Sequence, residues 1–150
     1  MAVEDNIFEG DSYFVAETKS VKRVLDFVET GVPCLCFIDE ILKGTNTIER
    51  ISASSSIVNW LKSYPSLAFV ATHDIELTEI LKASCSNVHF EEQVTKEYGV
   101  TFDYCLREGP STTRNAIQLL HVLNYPEKVV EQAKKEADYF DEHRTWQTVE

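Results

Sequence analysis

The sequence predicts an α/β fold built around a parallel βαβ unit. Two short apolar runs, at residues 34–38 and 67–71, have the length and the composition of buried strands. A stretch with helical spacing of apolar residues lies between them, and both connections are short. Strand, helix and strand in this order favour parallel pairing with a right-handed crossover. We therefore expect the first strand to be buried on both faces, as strands of parallel sheets usually are.

The composition is that of an ordinary globular protein with the length of one domain. The chain has 150 residues, of which 43% are hydrophobic and 26% are charged. Its formal net charge of -11 argues against these residues alone binding a phosphate backbone, which requires clustered Lys and Arg. No apolar run approaches the ~20 residues of a membrane span, and the acidic first residues are unlike a signal peptide.

The cysteines point to a reducing environment. None of the four belongs to a CxxC pair, and two of them lie inside the first strand: Cys34, Cys36, Cys85 and Cys105. This pattern favours reduced core thiols over zinc ligands or disulfides, and hence a cytoplasmic protein.

Helices are predicted on both sides of the first strand. A loop at residues 1–11 leads to a helix at 18–29. Its apolar residues fall at i, i+3, i+4 and i+7, on a single stripe: Val21, Val24, Leu25 and Val28. A second helix at 47–63 would turn four apolar side chains to the core: Ile48, Ile51, Val58 and Leu61. A short helix at 75–82 follows the second strand.

The second half of the chain predicts a β-hairpin and then two helices. Apolar residues alternate with polar ones at 88–90 and 100–106, which indicates two antiparallel strands joined near residues 97–99. A helix at 113–123 and a last helix after Pro126 form a helix-turn-helix shape. Because the last helix is acidic, packing or subunit contact suits it better than reading a DNA groove.

Polar residues follow the two strands where an α/β sheet places its ligands. Asp39 and Glu40 end the first strand and His73 ends the second, so we expect all three at one edge of the sheet. A Walker B element requires two such carboxylates, one for hydrated Mg²⁺ and one to orient or deprotonate an attacking water. A neutral imidazole could contact a γ-phosphate or that water. Ser12 precedes the first helix, whose N-terminus offers free N–H groups to an anion.

Each of these residues also has a plainer interpretation. The two acids could be a strand end with an acidic cap, and His73 could be satisfied by a backbone carbonyl. Ser12 could be an ordinary helix cap. The order and spacing of all of them together decide between the two interpretations.

The motifs resemble those of MutS-type mismatch-repair ATPases. CFIDE at residues 36–40 and KGTNT at 43–47 are similar to that family's Walker B "IDE" and D-loop "GRGTST". ATHDIELT at 71–78 resembles its H-loop region, and GDSYFVAE at 10–17 resembles its signature turn "G-x-STF-x-x-E". Residues 104–130 are similar to the family's β-hairpin and helical dimerisation tail. The resemblance covers nearly the whole chain.

The resemblance implies a role for each candidate residue. Asp39 would bind Mg²⁺ through water, Glu40 would act as general base, and His73 would contact the γ-phosphate of ATP. Ser12 would reach the nucleotide of the opposite subunit, and Gly44 and Thr45 would lie at the dimer interface. The cofactors would be ATP and Mg²⁺. The partners would be a second copy of the chain, through the ATPase part and the helices, and DNA through domains outside these residues, without membrane contact.

Departures from the family pattern indicate a divergent branch. Tyr13 stands in place of Thr, Lys43 in place of Arg and Asn46 in place of Ser. No G-x-x-x-x-G-K-[ST] occurs in the sequence, so the phosphate-binding P-loop should precede Met1. We therefore expect the carboxyl-terminal portion of an ABC-type P-loop NTPase domain at residues 1–108, followed by a dimerisation tail at 109–150.

Two other functions stay open at this point. The chain could be a non-catalytic dimerisation or interaction module, because it lacks the P-loop lysine. It could also belong to another ABC-type ATPase of DNA repair or chromosome organisation. The loop with hydroxyl groups after Glu40 and the helical tail favour MutS.

Overall fold

A two-stranded parallel sheet lies at the centre of the first half of the chain. Strand β1 (Cys34–Asp39) pairs with β2 (Ser66–Ala71) in a register that runs from Cys34 opposite Ser66 to Asp39 opposite Ala71. Helix α2 (Thr47–Leu61) connects them. The predicted βαβ unit and the α/β class are therefore confirmed.

The coordinates are a computed structural model that describes residues 13–113 and 115–148. They divide into two compact units, one up to Asn87 and one from Val88. The boundary predicted after residue 108 is a different one, because it separates an ATPase portion from a dimerisation tail. That boundary stays a prediction.

Helix α1 (Tyr13–Glu29) packs on the sheet through the predicted stripe. Val21 and Val28 are buried, and Val24 and Leu25 pack against them. The helix begins before the expected residue 18. Glu17, one turn before Val21, is also buried, and a charged residue at that position does not continue the apolar stripe that predicts the helix.

Helix α2 begins at an Asn cap and ends in the core. The side-chain oxygen of Asn46 accepts a hydrogen bond from the backbone N–H of Glu49, as expected of an N-cap. Leu61 is buried, but Ile48 is 79% exposed, so its predicted core position is wrong. Ile48 lies in the first turn of the helix, whereas the residues in contact with the core begin farther along it.

The two faces of the sheet differ. Cys36 and Ile38 are buried against the helices, whereas Leu35 and Phe37 are more than half exposed. On the open face Phe37 stacks on Phe69 with ring centroids 5.3 Å apart. Among the residues that the structure describes, the packed core lies on one side of the strands only, so the expectation of burial on both faces is wrong for them.

Helix α3 (Ile75–Ile80) follows β2 after a short connection. Leu77 and Leu81 are buried, and the side-chain amide of Asn87 donates to the carbonyl of Thr78 at 3.0 Å. These contacts hold the end of the first unit.

The second unit contains two short antiparallel ladders. Strand β3 (Val88–His89) pairs with β6 (Arg107–Glu108), and β4 (Glu92–Thr95) pairs with β5 (Gly99–Phe102). The predicted turn is confirmed, and Gly99 has the positive φ that such a turn requires. The strands are not one continuous hairpin, because the run at 88–90 pairs near residue 107 and not with β5.

Two helices follow, joined by a short turn. Helix α4 (Ala116–Val122) begins three residues later than predicted, and α5 (Glu127–His143) buries Val130. The amide of Asn115 donates to the backbone oxygen of Glu92 at 3.0 Å. The amide of Gln118 donates to the carbonyl of Val94 at 2.5 Å. These bonds attach α4 to the hairpin.

All four cysteines are free, as predicted. Cys36 is buried and its Sγ lies 3.7 Å from that of Cys34. Burial and this contact raise the pKa of the Cys36 thiol. Cys105 is exposed, so the description of all four as core thiols is wrong for this one.

Among the described helices, none combines the length and the apolar character that crossing a membrane would require.

The one-sided core predicts a contrast between two leucines. Leu61→Ala should lower the free energy of unfolding by about 2–5 kcal/mol, because it leaves a cavity at a fully buried position. Leu67→Ala removes the same atoms from a side chain that is 62% exposed. This variant should change the free energy of unfolding by less than about 1 kcal/mol. Urea unfolding of the chain measures both. Equal losses would contradict a core on one side only.

Candidate functional site

The site forms where β1 and β2 end at the same edge of the sheet. Asp39 lies opposite Ala71, and the N–H of Glu40 donates to the carbonyl of Ala71 at 2.9 Å. Parallel pairing therefore continues to the last residue before the loop. It places residues 39–40 beside residues 72–73, as the sequence predicts.

Glu40 contacts two basic side chains. Its Oε2 lies 2.5 Å from the Nζ of Lys43, and its Oε1 lies 3.6 Å from the Nε2 of His73. The carboxylate is 20% exposed, while the His73 side chain is 93% exposed. The structure thus brings Glu40 and His73 together and leaves the imidazole open to solvent. The contact of Lys43 with this carboxylate was not predicted from the sequence.

The backbone after β1 is strained on both sides of an anchor. Glu40 has φ +49° and Leu42 has φ +57°, values that cost a residue with a side chain about 1–3 kcal/mol each. Between them Ile41 is buried, and its carbonyl accepts a hydrogen bond from the hydroxyl of Ser54 at 3.3 Å. The core therefore holds this turn through Ile41.

The loop that follows is held by a buried acid on α1. Glu17 is 5% exposed, and its carboxylate accepts hydrogen bonds from the N–H of Lys43 at 2.9 Å and of Gly44 at 3.4 Å. It was part of the resemblance to the signature turn, without a role of its own. A charged residue on the apolar stripe of a helix was the signal that could have found it.

Gly44 and Thr45 lead into the cap of α2. The hydroxyl of Thr45 and the amide of Asn46 both donate to Oε2 of Glu49, at 3.0 and 2.6 Å. Asn46 and Glu49 thus hold the first turn of α2 through each other's side chains. The predicted positions of Gly44 and Thr45 at a dimer interface stay predictions.

An ion pair fixes the residue after His73. Arg50 on α2 forms two bonds to Asp74, with Nε to Oδ2 at 2.7 Å and Nη2 to Oδ1 at 2.5 Å. The Arg50 guanidinium holds the pKa of the Asp74 carboxyl below its usual range. Asp74 in turn raises the pKa of Arg50. The two residues are 24 positions apart, so no local pattern reveals this pair.

Asp39 suits a shared magnesium ion and not a closed metal cage. It is exposed at the end of β1. Within the described ranges 13–113 and 115–148, no group of three or more His, Cys, Asp or Glu could hold a metal ion. Mg²⁺ commonly takes one or two carboxylates and completes its shell with water and substrate phosphates. The donor set at Asp39 fits that arrangement.

Ser12 lies outside the described residues. The helix described after it begins at Tyr13. Its predicted contact with a nucleotide stays a prediction.

Comparison with known proteins gives consistent matches. The profile of MutS domain V matches residues 1–141. The DNA mismatch repair protein MutS of Aquifex pyrophilus is 33% identical over 129 residues, or 84% of this chain and 15% of that protein. MutS of Thermus thermophilus is 25% identical over 134 residues, 89% of the chain and 16% of that protein. The human MutS protein homolog 4 is 29% identical over 143 residues, 90% and 15%. The chain therefore spans about one sixth of the length of these relatives.

The Arg50–Asp74 pair predicts a pH-dependent contribution to stability. Because the pKa of Asp74 is lowered by folding, its stabilisation is present above about pH 4 and is lost as the pH falls through the folded value. Asp74→Asn should therefore unfold more readily than the wild type at pH 7, and the difference should shrink by pH 3. Thermal unfolding at both pH values measures it.

Glu79→Gln is the matched control for this prediction. It breaks an ion pair with Lys82 whose two side chains are about 70% exposed, so it should change little at either pH. An Asp74→Asn effect of equal size at pH 7 and pH 3 would contradict the role of the charge.

Proposed function

The chain belongs to the MutS family, where it corresponds to domain V, and from this we propose that it is the carboxyl-terminal part of a MutS-like ATPase domain. In a complete dimer, this domain would bind and hydrolyse ATP with Mg²⁺ and couple the hydrolysis to DNA binding. The observation that supports the proposal most strongly is Glu40. It is a carboxylate at a parallel strand end, between Lys43 and His73.

Glu40 would orient and deprotonate the attacking water. One of its oxygens is paired with Lys43, and the other lies 3.6 Å from the Nε2 of His73. A base must lie within hydrogen-bond reach of the proton that it takes, directly or through one water. The partial exposure of the carboxylate gives water that access.

His73 and Asp39 would act on the phosphate side. His73 would donate a hydrogen bond to the γ-phosphate, for which its exposed ring at the strand end is suited. Asp39 would hold Mg²⁺ through water, and bound Mg²⁺ would supply charge neutralisation of the phosphates. Asp39 is the last residue of β1 and Glu40 is the first residue after it. Two adjacent residues would thus take the two roles, Asp39 that of metal ligand and Glu40 that of base.

The remaining contacts would come from a second subunit. Ser12 would reach the nucleotide of the partner, and Gly44 and Thr45 would lie at the interface. Apolar side chains near the turn between α4 and α5 support a contact role for the tail: Leu123, Tyr125 and Val129 are each 47–60% exposed.

DNA would bind through other domains, because the chain itself has a net charge of -11. We place the protein in the cytoplasm, in keeping with its DNA-repair relatives.

A second candidate is a non-catalytic dimerisation or interaction module. One observation favours it: the 150 residues contain no P-loop motif. Without the loop that cradles the phosphates, Glu40 has no substrate to act on. We therefore expect purified residues 1–150 to show no ATP hydrolysis above background in a phosphate-release assay. Robust hydrolysis would contradict this expectation.

Glu40→Gln tests the ATPase proposal in a complete protein that carries a P-loop. The amide keeps the shape of the carboxylate but cannot take a proton, so turnover should fall by about 10²-fold or more while ATP binding remains. Steady-state kcat and the nucleotide Kd measure the two effects.

Glu79→Gln provides the control for this variant, since its carboxylate lies on α3 and pairs with Lys82. It should leave both quantities unchanged. If Glu40→Gln retained the wild-type kcat, the assignment of Glu40 as the base would be wrong.

A further inference from the structure

Glu17 is the buried acid that the proposed chemistry does not use. A carboxylate that is only 5% exposed is costly unless hydrogen bonds replace its water. Both of its oxygens accept such bonds, from the backbone N–H groups of Lys43 and Gly44. Its partners are thus the loop beside Glu40, 26 residues away in sequence, and not groups of its own helix.

We propose that Glu17 is a positioning residue for hydrolysis, which places Lys43 so that its ammonium holds one oxygen of Glu40. The proposal rests on the proposed function, because it takes Glu40 as the base. Glu17 itself contacts neither the reacting water nor the nucleotide in this scheme. It acts through the backbone of residues 43–44.

Glu17 fixes the position of the backbone at Lys43. The loop leaves the sheet through Glu40 and Leu42, both with positive φ, and the N–H of Thr45 donates to the carbonyl of Leu42 at 3.2 Å. This tight turn points the N–H groups of residues 43 and 44 toward α1, where the carboxylate receives them. The helix therefore fixes the backbone from which the lysine side chain extends.

Lys43 distinguishes the two oxygens of Glu40. Its Nζ lies 2.5 Å from Oε2, which leaves Oε1 on the side of His73. Without the lysine the carboxylate could rotate, and either oxygen could face the water. A charge-assisted bond to a side chain with a fixed origin limits that rotation. Orientation of this kind affects the rate of the chemical step more than binding of the nucleotide.

Amide hydrogen exchange in the chain of 150 residues tests the structural part. Glu17→Gln keeps the size of the side chain, but in the present geometry its NH₂ group would replace one acceptor oxygen and face an N–H donor, so one of the two observed bonds would be lost. The amides of Lys43 and Gly44 should exchange about tenfold faster or more, while those of β1 and β2 keep their protection.

Ser20→Ala serves as the matched control for exchange. Ser20 is equally buried on the same helix, but the hydrogen bond of its hydroxyl is with Arg23 of that helix, from which it accepts. It should leave the amides of residues 43 and 44 unchanged. Unchanged protection in Glu17→Gln, or a uniform loss of protection throughout the first unit, would overturn the positioning role.

A kinetic cycle in a complete, P-loop-containing protein tests the rest. Glu17→Gln and Lys43→Met should each lower kcat about tenfold with the KM for ATP within about twofold. If Glu17 acts through Lys43, the double variant should be no slower than Lys43→Met alone. Lys43→Arg, which keeps a cation, should retain more activity than Lys43→Met.

The possible results separate this inference from the proposed function. Losses of kcat that multiply in the double variant, or a change in KM alone, would overturn the inference while Glu40→Gln still abolished turnover. A fully active Glu40→Gln would instead overturn the assignment of Glu40 as the base, and the exchange result at residues 43 and 44 would not depend on it.

Discussion

The parallel pairing of β1 with β2 is the constraint on which the first unit depends. It aligns the two strands residue by residue, so that both strands end at the same edge of the sheet. Only because of this alignment does Glu40 lie beside His73, although 33 positions separate them in sequence. The pairing is stabilised from one side, where α1 and α2 bury Cys36 and Ile38. The site is therefore a consequence of the core beneath it.

The loop after β1 shows how that core maintains an unfavourable backbone. Two residues with side chains adopt positive φ on either side of Ile41, and such strain persists only where the surroundings enforce it. Three groups do so here: the buried side chain of Ile41, the hydroxyl of Ser54 and the carboxylate of Glu17. They come from the loop itself and from the helices α2 and α1. Backbone strain of this kind is commonly found at functional sites, and here it occurs at a strand end that carries a carboxylate and two basic groups.

One face of the two-stranded sheet is not covered by the described residues. Strands of a parallel sheet are usually covered on both faces, yet here Phe37 and Phe69 stack on each other while each is at least half exposed. The helices α1 and α2 pack on the opposite face, where Cys36 and Ile38 are buried. The chain spans about one sixth of the length of the relatives that it matches.

The sequence by itself determined the elements and the candidate residues, because both are encoded locally. The stripe of α1, the βαβ order and the polar residues at the strand ends can be read within a few positions of each other. It could not determine which face of β1 is covered, which depends on what else packs there, nor the short pairing of β3 with β6. Only the tertiary structure decided the contacts of Lys43 with Glu40, Glu17 with the loop and Arg50 with Asp74. The last two join residues 24 or more positions apart on different elements, and their geometry exists only once those elements have packed together.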